Sequence, residues 1–309
     1  MAKVVAPLLS LNATGTVAGE LTFSRHKRLH VAKTIPSHPD AKSPDQLAQR
    51  DLYRHALDYW LTLTLAERAQ LLTAARPRKI TGLNLLVSQF LHDELALDAW
   101  YPAHDAAPNP QQDYSLHANH LNTIAHTTTI DRCGQPFGAL ECDGATTYCY
   151  GANQRVGYTS EDFTIIARVY PTISKVHKIT TRGVTFADGW YFTLTALPLI
   201  YLATEQPGQH QATLSAALPT IYNSWHTIAA TRQGTIVNLY YDGVDVTVSH
   251  DVHQDPTYNP DRVLTLSAAG IGGGENIQGR LDDVLFFRRA LTPAEHATIH
   301  ARLCTIPRL

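Results

Sequence analysis

From Phe137 onward the chain is a succession of short β-forming runs broken by turns, with no helices between them. That pattern excludes most architectures at once. The runs include 163–170 (FTIIARVY), 190–194 (WYFTL), 225–230 (WHTIAA), 236–241 (IVNLYY), 263–266 (VLTL) and 284–287 (VLFF). Strands alternating with helices would build a parallel α/β sheet, whereas many short strands in series build a sandwich or barrel. Asp242-Gly243, between Tyr241 and Val244, predicts a two-residue type I′ hairpin, because both central residues need positive φ. One helix is expected at the end, where Thr292-Pro293-Ala294-Glu295 caps a segment running to about Leu303.

The preceding residues read differently. At 309 residues the chain is long enough for more than one domain. Residues 1–35 hold an alternating run, Leu21-Thr22-Phe23-Ser24, with Gly15 and Gly19 nearby and the basic patch Arg25-His26-Lys27-Arg28 after it. They predict an extended arm or hairpin. Residues 36–101 predict a small three-helix unit. Its first helix is capped by Ser43-Pro44-Asp45-Gln46 and presents Leu52, Ala56, Trp60 and Leu61. A second opens at Thr64-Leu65-Ala66-Glu67, runs through Leu72 and is limited by Pro77, and a third begins near Thr81-Gly82. Three short helices bury little by themselves, so this unit calls for a partner surface. Residues 102–132, with Pro102, Pro108 and Pro110, read as a linker, and 133–309 as the sandwich.

Charge narrows the partners. With 25 Lys and Arg against 27 Asp and Glu, the formal charge is -2, giving no general pull toward nucleic acid or anionic membrane. No segment approaches the roughly 18 apolar residues of a membrane-spanning helix. Cys133, Cys142, Cys149 and Cys304 lack zinc-site spacing; Cys142 and Cys149 fall in strand-like runs and read as small buried side chains. A bridge between Cys133 and Cys304 would tie the ends of the sandwich together. His117, His120 and His126 read as polar linker histidines rather than ligands, and Asn12-Ala13-Thr14 matches a glycosylation acceptor.

Several motifs carry a family resemblance. Ala139-Leu140-Glu141-Cys142-Asp143-Gly144, Asp162-Phe163-Thr164-Ile165, Gly189-Trp190-Tyr191, the stretch 225–232 (WHTIAATR), Leu239-Tyr240-Tyr241-Asp242-Gly243-Val244, Gly279-Arg280-Leu281-Asp282-Asp283-Val284 and the stretch 289–295 (RALTPAE) follow in order. Together they resemble the laminin-G-like, concanavalin-A-like jelly-roll family over about half the chain. The resemblance implies a mainly β, concanavalin-A-like jelly-roll sandwich that follows the arm and the helical unit. More loosely, Gly19-Glu20-Leu21-Thr22-Phe23-Ser24, Ser43-Pro44, Trp60 and Thr81-Gly82-Leu83-Asn84 resemble small proteins encoded by bacteriophages and prophages.

The resemblance also sets expectations for sites. Laminin-G-like domains often hold calcium near a rim, and Asp143, Asp242, Glu275 and Asp282 are the candidate ligands, calcium favouring several hard oxygens. The alternative is that Asp143 and Asp242 are turn formers before glycine. Trp190, Tyr191 and Tyr240 are candidate ligand-binding residues, since aromatic faces stack on sugars, while Trp225 reads as structural. The segment 202–219, with Glu205, Gln206 and Gln209, reads as a polar surface loop.

Catalysis finds little support in the residues. Hydrolases on this fold carry Glu-x-Asp-x-x-Glu on one strand, and here Glu141-Cys142-Asp143 is followed by Gly144-Ala145-Thr146. No nucleophile motif singles out a Ser or Cys, and a Ser-His-Asp series cannot be read from scattered occurrences of common residues. The expectation is therefore a non-catalytic, virion-type structural or surface protein, a capsid decoration or tail-associated component on the outside of an assembly. Residues 1–101 would self-associate or attach it to a particle, and 133–309 would meet a glycan or surface protein. The alternatives are a free or secreted carbohydrate-binding module and a glycoside hydrolase whose acids are Asp143 and Glu275.

Overall fold

A computed structural model describes residues 15–17, 21–26 and 29–34, six helical positions between 50 and 61, and 65–91, 96–102 and 111–301, except 114, 116, 118, 126, 135, 220 and 273. The Ser43-Pro44 cap, Asn12, His126 and Cys304 lie outside the described residues. The chain divides into two units, 1–50 and 51–309. In the first, β1 (Gly15–Val17), β2 (Leu21–His26) and β3 (Leu29–Thr34) form an antiparallel sheet in that order.

The second unit opens with helices. Tyr53, Ala56, Leu57, Trp60 and Leu61 are helical, followed by α1 (Leu65–Ala75), a 3-10 turn over Arg76–Arg78 that carries Pro77, and α2 (Gly82–Leu91). Thr81 caps α2 by accepting the Asn84 N–H at 3.0 Å. Gly82 lets the two helices touch, because a Cβ there would lie 2.9 Å from the Leu72 nitrogen. Ala56, Leu86 and Val87 form a small core with Trp60, Leu71 and Leu83 packed against it.

Among the described residues, sixteen strands then build two antiparallel sheets. The first sheet has the order β17-β13-β12-β11-β10-β18-β8-β5. Its members are β5 (Asn122–Ile124), β8 (Tyr148–Gly151), β10 (His177–Val184), β11 (Asp188–Leu194), β12 (Ile200–Gln206), β13 (Gln209–Ser215), β17 (Thr247–His250) and β18 (Leu264–Leu266). The second sheet runs β16-β15-β14-β9-β19-β7-β6, with β4 (Leu97–Tyr101) also paired to β19. It contains β6 (Thr127–Thr129), β7 (Ala139–Asp143), β9 (Phe163–Pro171), β14 (His226–Gln233), β15 (Ile236–Tyr241), β16 (Val244–Asp245) and β19 (Gln278–Phe287). Strand alternation sends Ile165, Ala167, Ile228, Ala230, Leu239 and Phe286 inward from the second sheet to meet Trp190, Phe192, Leu202, Leu264 and Leu266 of the first. The chain thus folds as a mainly β sandwich, and α3 (Pro293–Ala301) closes it.

Local chemistry explains the punctuation. Asp242 and Gly243 take φ of 49° and 81°, and Tyr241 pairs directly with Val244, which is the two-residue hairpin expected. Thr292 and Glu295 cap α3 reciprocally: the Thr292 N–H donates to Glu295 Oε2 at 2.8 Å, and the Glu295 N–H to Thr292 Oγ1 at 3.3 Å. Cys142 and Cys149 are buried in the core, and burial pushes the Cys142 thiol up to about 12 and that of Cys149 higher.

Two boundaries differ from the sequence expectation. The sandwich begins at Leu97, not 133, because β4, β5 and β6 pair with its strands and Leu121 is fully buried. The sequence hid this because β4 buries Asp98 and is followed by Pro102. Arg155 and Arg288 compensate the Asp98 carboxylate at 3.0 and 3.1 Å. The segment 202–219, expected as a loop, forms most of the β12–β13 hairpin. Beyond Leu202 its inward positions include polar residues: Thr204 and Thr213 each hydrogen-bond the fully buried His253, at 2.9 Å. Such strands lack the apolar alternation by which strands are recognised.

Candidate functional site

The outer faces of the two sheets are treated differently. On the second sheet, Ile166, Ala229 and Tyr240 pack with Leu291, and Ile299 of α3 packs against them. The His296 ring stacks on Tyr240 at 3.8 Å between centroids, and its Nε2 is 2.8 Å from Thr231 Oγ1. That face is covered by the chain's own helix. Among the described residues no helix makes an extensive contact with the strands of the first sheet.

Register fixes what that open face displays. Thr181, Tyr191, Ala203 and Ala212 are directly opposite one another across β10, β11, β12 and β13, and Lys178, Thr193, Tyr201 and Leu214 form the neighbouring row. Both rows point away from Trp190, Phe192 and Leu202, which alternate with them into the core. Thr181, Thr193 and Ala203 are buried beneath larger neighbours, so small residues make a floor between the side chains of Tyr191, Tyr201 and Lys178. The rings of Tyr191, Tyr201 and His210 stack on one another with centroids 5.8 to 6.2 Å apart. Phe186, in the β10–β11 turn and 59% exposed, lies 5.6 Å from the His210 ring.

A chain of hydrogen bonds orients these rings. The buried Glu205 carboxylate contacts His210 Nδ1 at 2.5 Å, and His210 Nε2 is 2.5 Å from the Tyr201 hydroxyl. With Glu205 accepting at Nδ1, the neutral imidazole leaves Nε2 to accept the Tyr201 proton. The other Glu205 oxygen accepts the Phe186 N–H at 2.8 Å and fixes the turn. Tyr201 and Tyr191 are also hydrogen-bonded, and burial raises both phenols above their ordinary value. Lys178 holds its ammonium 3.6 Å from the centroid of Tyr191 and 3.5 Å from the Glu275 carboxylate. Burial lowers the Lys178 pKa, and Glu275 and Glu205 oppose that shift.

The residues singled out from sequence fall in different places. Tyr191 lies on the outer face of the first sheet and is largely buried there, 7% exposed. Trp190, its neighbour in sequence, points the opposite way; it is fully buried and donates its indole N–H to the Val156 carbonyl at 2.9 Å. Tyr240 is buried under α3. Trp190 and Tyr240 are therefore core residues, for the same reason that neighbouring strand residues always face oppositely.

The four carboxylates do not converge either. Asp143 accepts the N–H groups of Ala145, Thr146 and Thr147 at 2.8 to 2.9 Å, and these bonds outweigh burial to hold it well below the usual carboxylate range. Asp242 binds His226 and the Thr227 N–H, Asp282 is fully buried on β19, and Glu275 pairs with Lys178. Among the described residues no three His, Cys, Asp or Glu side chains gather as a metal site. Through Lys178, the structure instead brings Glu275 beside Tyr191. Lys178, Tyr201, Glu205 and His210 were not legible as a group, because they lie on three strands and meet only through register.

Comparison with known proteins agrees with this architecture. Residues 143–295 match the laminin-G-type profile described as the concanavalin A-like lectin/glucanases superfamily. The binding domain of Paraclostridial mosquitocidal protein 1 superposes with a TM-score of 0.53 at 14% identity, over 66% of this chain and 52% of that one. The binding domain of botulinum neurotoxin DC, solved with rat synaptotagmin II, gives 0.51 at 11% identity, over 67% and 51%. A botulinum neurotoxin type C structure, whose cell entry is described as dependent on two ganglioside molecules, gives 0.51 at 10% identity, over 69% and 52%. This chain thus spans about half the length of those structures, and at such identities the likeness is one of fold. No curated protein sequence matches the chain. Residues 143–295, within the sandwich, thus match the concanavalin A-like lectin/glucanases superfamily.

Proposed function

We propose that the chain is a recognition protein whose sandwich binds a glycan through the open face at Tyr191, Tyr201 and Lys178, without cleaving glycosidic bonds. The observation that carries this reading is the asymmetry of the two sheets: one outer face is packed under α3, and the other carries the partly exposed Tyr201, His210 and Lys178 around Tyr191, which is itself 7% exposed beneath the Lys178 ammonium. Sugars offer apolar ring faces and hydroxyls together, and aromatic residues with a few placed polar groups suit such ligands. Fold neighbours described as binding gangliosides or synaptotagmin support a binding role for the architecture, and a protein ligand is the second form of this reading. Against hydrolysis, Asp143 is occupied by its own turn and Glu275 by Lys178.

We further propose that residues 1–101 attach the chain to a larger assembly, as on the surface of a virus particle. Leu61, Leu65 and Leu72 of the helices are 56%, 84% and 46% exposed, an apolar display that a partner surface would cover. Calcium remains a separate proposal for the sandwich rim, tested by melting in calcium and in chelator; no shift in Tm rejects it. For the main reading, the full chain and its Tyr191→Ala variant are applied to a glycan array. Retention by the wild type and loss in the folded variant are expected. Absence of any retained glycan, or equal retention by both proteins, overturns the glycan reading. Sedimentation of the full chain tests attachment: a monomer that pellets with no particle fraction removes it.

A further inference from the structure

The β14–β15 edge of the second sheet carries a polar constellation that the binding role does not use. Ser224 Oγ is 2.8 Å from His226 Nε2, and His226 Nδ1 is 2.9 Å from Asp242 Oδ2. Sequence separation hides this series, and folding assembles it. Asn223, at a φ of 60°, turns the chain so that Ser224 precedes β14, and His226 opens that strand opposite Val169. The hairpin turn brings Asp242 back beside it, where the Thr227 N–H holds Oδ1 at 2.8 Å and leaves Oδ2 for the imidazole.

The Asp242 carboxylate favours one tautomer. A carboxylate on Nδ1 keeps the proton there, so Nε2 accepts from the serine hydroxyl, as a general base must. Tyr241 stacks on the imidazole with centroids 4.9 Å apart, its hydroxyl 2.7 Å from Nδ1, where its oxygen shares the Nδ1 proton with Asp242, and 3.3 Å from Nε2. Burial disfavours ionised Asp242, but its bonds to His226 and Thr227 outweigh that cost and keep its pKa below the ordinary value. Ser224 is partly exposed, and the His226 side chain is 15% exposed, so the hydroxyl meets solvent while its base is sheltered. Beside them, the partly exposed Trp225 packs edge-on to Tyr170 at 5.6 Å, giving an apolar wall.

We propose that Ser224 is an activated nucleophile toward small carboxylic esters, with His226 as its general base and Asp242 as the positioning residue. Ser224 Oγ attacks the ester carbonyl carbon as its proton passes to His226 Nε2. Collapse of the tetrahedral adduct breaks the acyl carbon–oxygen bond, and the departing alkoxide takes that proton and leaves as an alcohol. Water then attacks the acyl-serine, losing a proton to Nε2; Ser224 regains that proton as the carboxylic acid is released. Esters fit better than amides, because an alkoxide leaves more readily than an amide anion. This activity is independent of the ligand proposed for Tyr191.

The test uses the full chain with a fluorophosphonate probe and with p-nitrophenyl acetate. Stoichiometric labelling at Ser224, found by peptide mass, and ester turnover lost in Ser224→Ala are expected. Asp242→Asn keeps a residue that tolerates positive φ but reverses the preferred tautomer, so labelling should slow by about 100-fold or more. In the wild type, the labelling rate should depend on pH, and in Asp242→Asn that dependence should change. Folding of each variant is checked by circular dichroism. No label on Ser224 in folded wild type, label on another residue, or turnover unchanged in Ser224→Ala overturns the proposal.

Discussion

The Lys178 ammonium lies 3.6 Å from the centre of the Tyr191 ring, on the one sheet face that the chain's own helix leaves uncovered. A cation over an aromatic face in a half-desolvated setting is worth about 0.5–2 kcal/mol. Lys178→Met keeps most of the aliphatic stem and removes the charge. The expected outcome is a fold less stable by about that amount, with glycan retention weakened as well. Titration of a retained glycan against both proteins measures this. Equal affinities would place the ligand elsewhere.

The floor of the same face predicts a trade between stability and binding. Thr181 Oγ1 and Thr193 Oγ1 are buried without a hydrogen-bond partner in the structure. An unsatisfied buried hydroxyl costs about 1–3 kcal/mol, so Thr193→Val, which replaces that hydroxyl with a methyl, should stabilise the fold by about 1 kcal/mol. Urea unfolding is the measurement. A loss of stability would mean that the hydroxyl is satisfied, by water for instance, and would remove it from consideration as an open polar group.

Trp190 predicts the opposite behaviour from Tyr191, its sequence neighbour. Its ring packs against Tyr158, Phe163 and Phe286 with centroids 6.0 to 6.2 Å apart, and its N–H satisfies the Val156 carbonyl. Trp190→Ala should cost about 3–5 kcal/mol through the cavity it leaves. Trp190→Phe should cost less in volume but strand the Val156 carbonyl, at about 1–3 kcal/mol. Calorimetric melting of both variants should show the graded loss, with residual glycan binding in whatever fraction stays folded. A stable Trp190→Ala protein would contradict the packing.

Sequence made the fold legible and the site much less so. The β-runs, the Asp242-Gly243 hairpin and the Thr292–Glu295 cap each depend on interactions within a few residues, and all three form where expected. Site geometry depends instead on register between strands far apart in sequence. Tyr191, Ala203 and Ala212 become neighbours only when β11, β12 and β13 pair. Trp190 and Tyr191 are chemically similar as ligand candidates, and alternation alone separates them. The β12–β13 hairpin escaped notice because, beyond Ile200 and Leu202, inward positions are taken by Thr204 and Thr213 around His253 rather than by aliphatic residues. Residues 143–295, the stretch that carries the family profile, also supplied the clearest sequence signals.

Stability should fall as the solution is acidified through the histidine range, and His296 is the principal reason. It lies under α3, 3% exposed, stacked on Tyr240 and bonded to Thr231, and burial lowers its pKa to about 4 despite the attraction of Glu295 and Asp245. In the unfolded chain the imidazole titrates near 6.5, so between about 4 and 6.5 the unfolded state binds the extra proton. The stability linked to this group is complete above pH 6.5, declines as pH falls, and is exhausted near 4; its full size is roughly 3 kcal/mol. His177 and His300, whose pKa values burial also lowers, act with the same sign. Below that window Glu295 continues the decline. Hydrogen bonds from Arg289 and Thr292 outweigh its burial and hold its pKa at about 2, so the stability it gives above the ordinary carboxylate range is lost on further acidification. His296→Gln keeps a polar partner for Thr231 and removes the titration. Urea midpoints measured from pH 7.5 to 4.5 should slope steeply for the wild type and much less for the variant. Parallel slopes would show that His296 is not the group being charged.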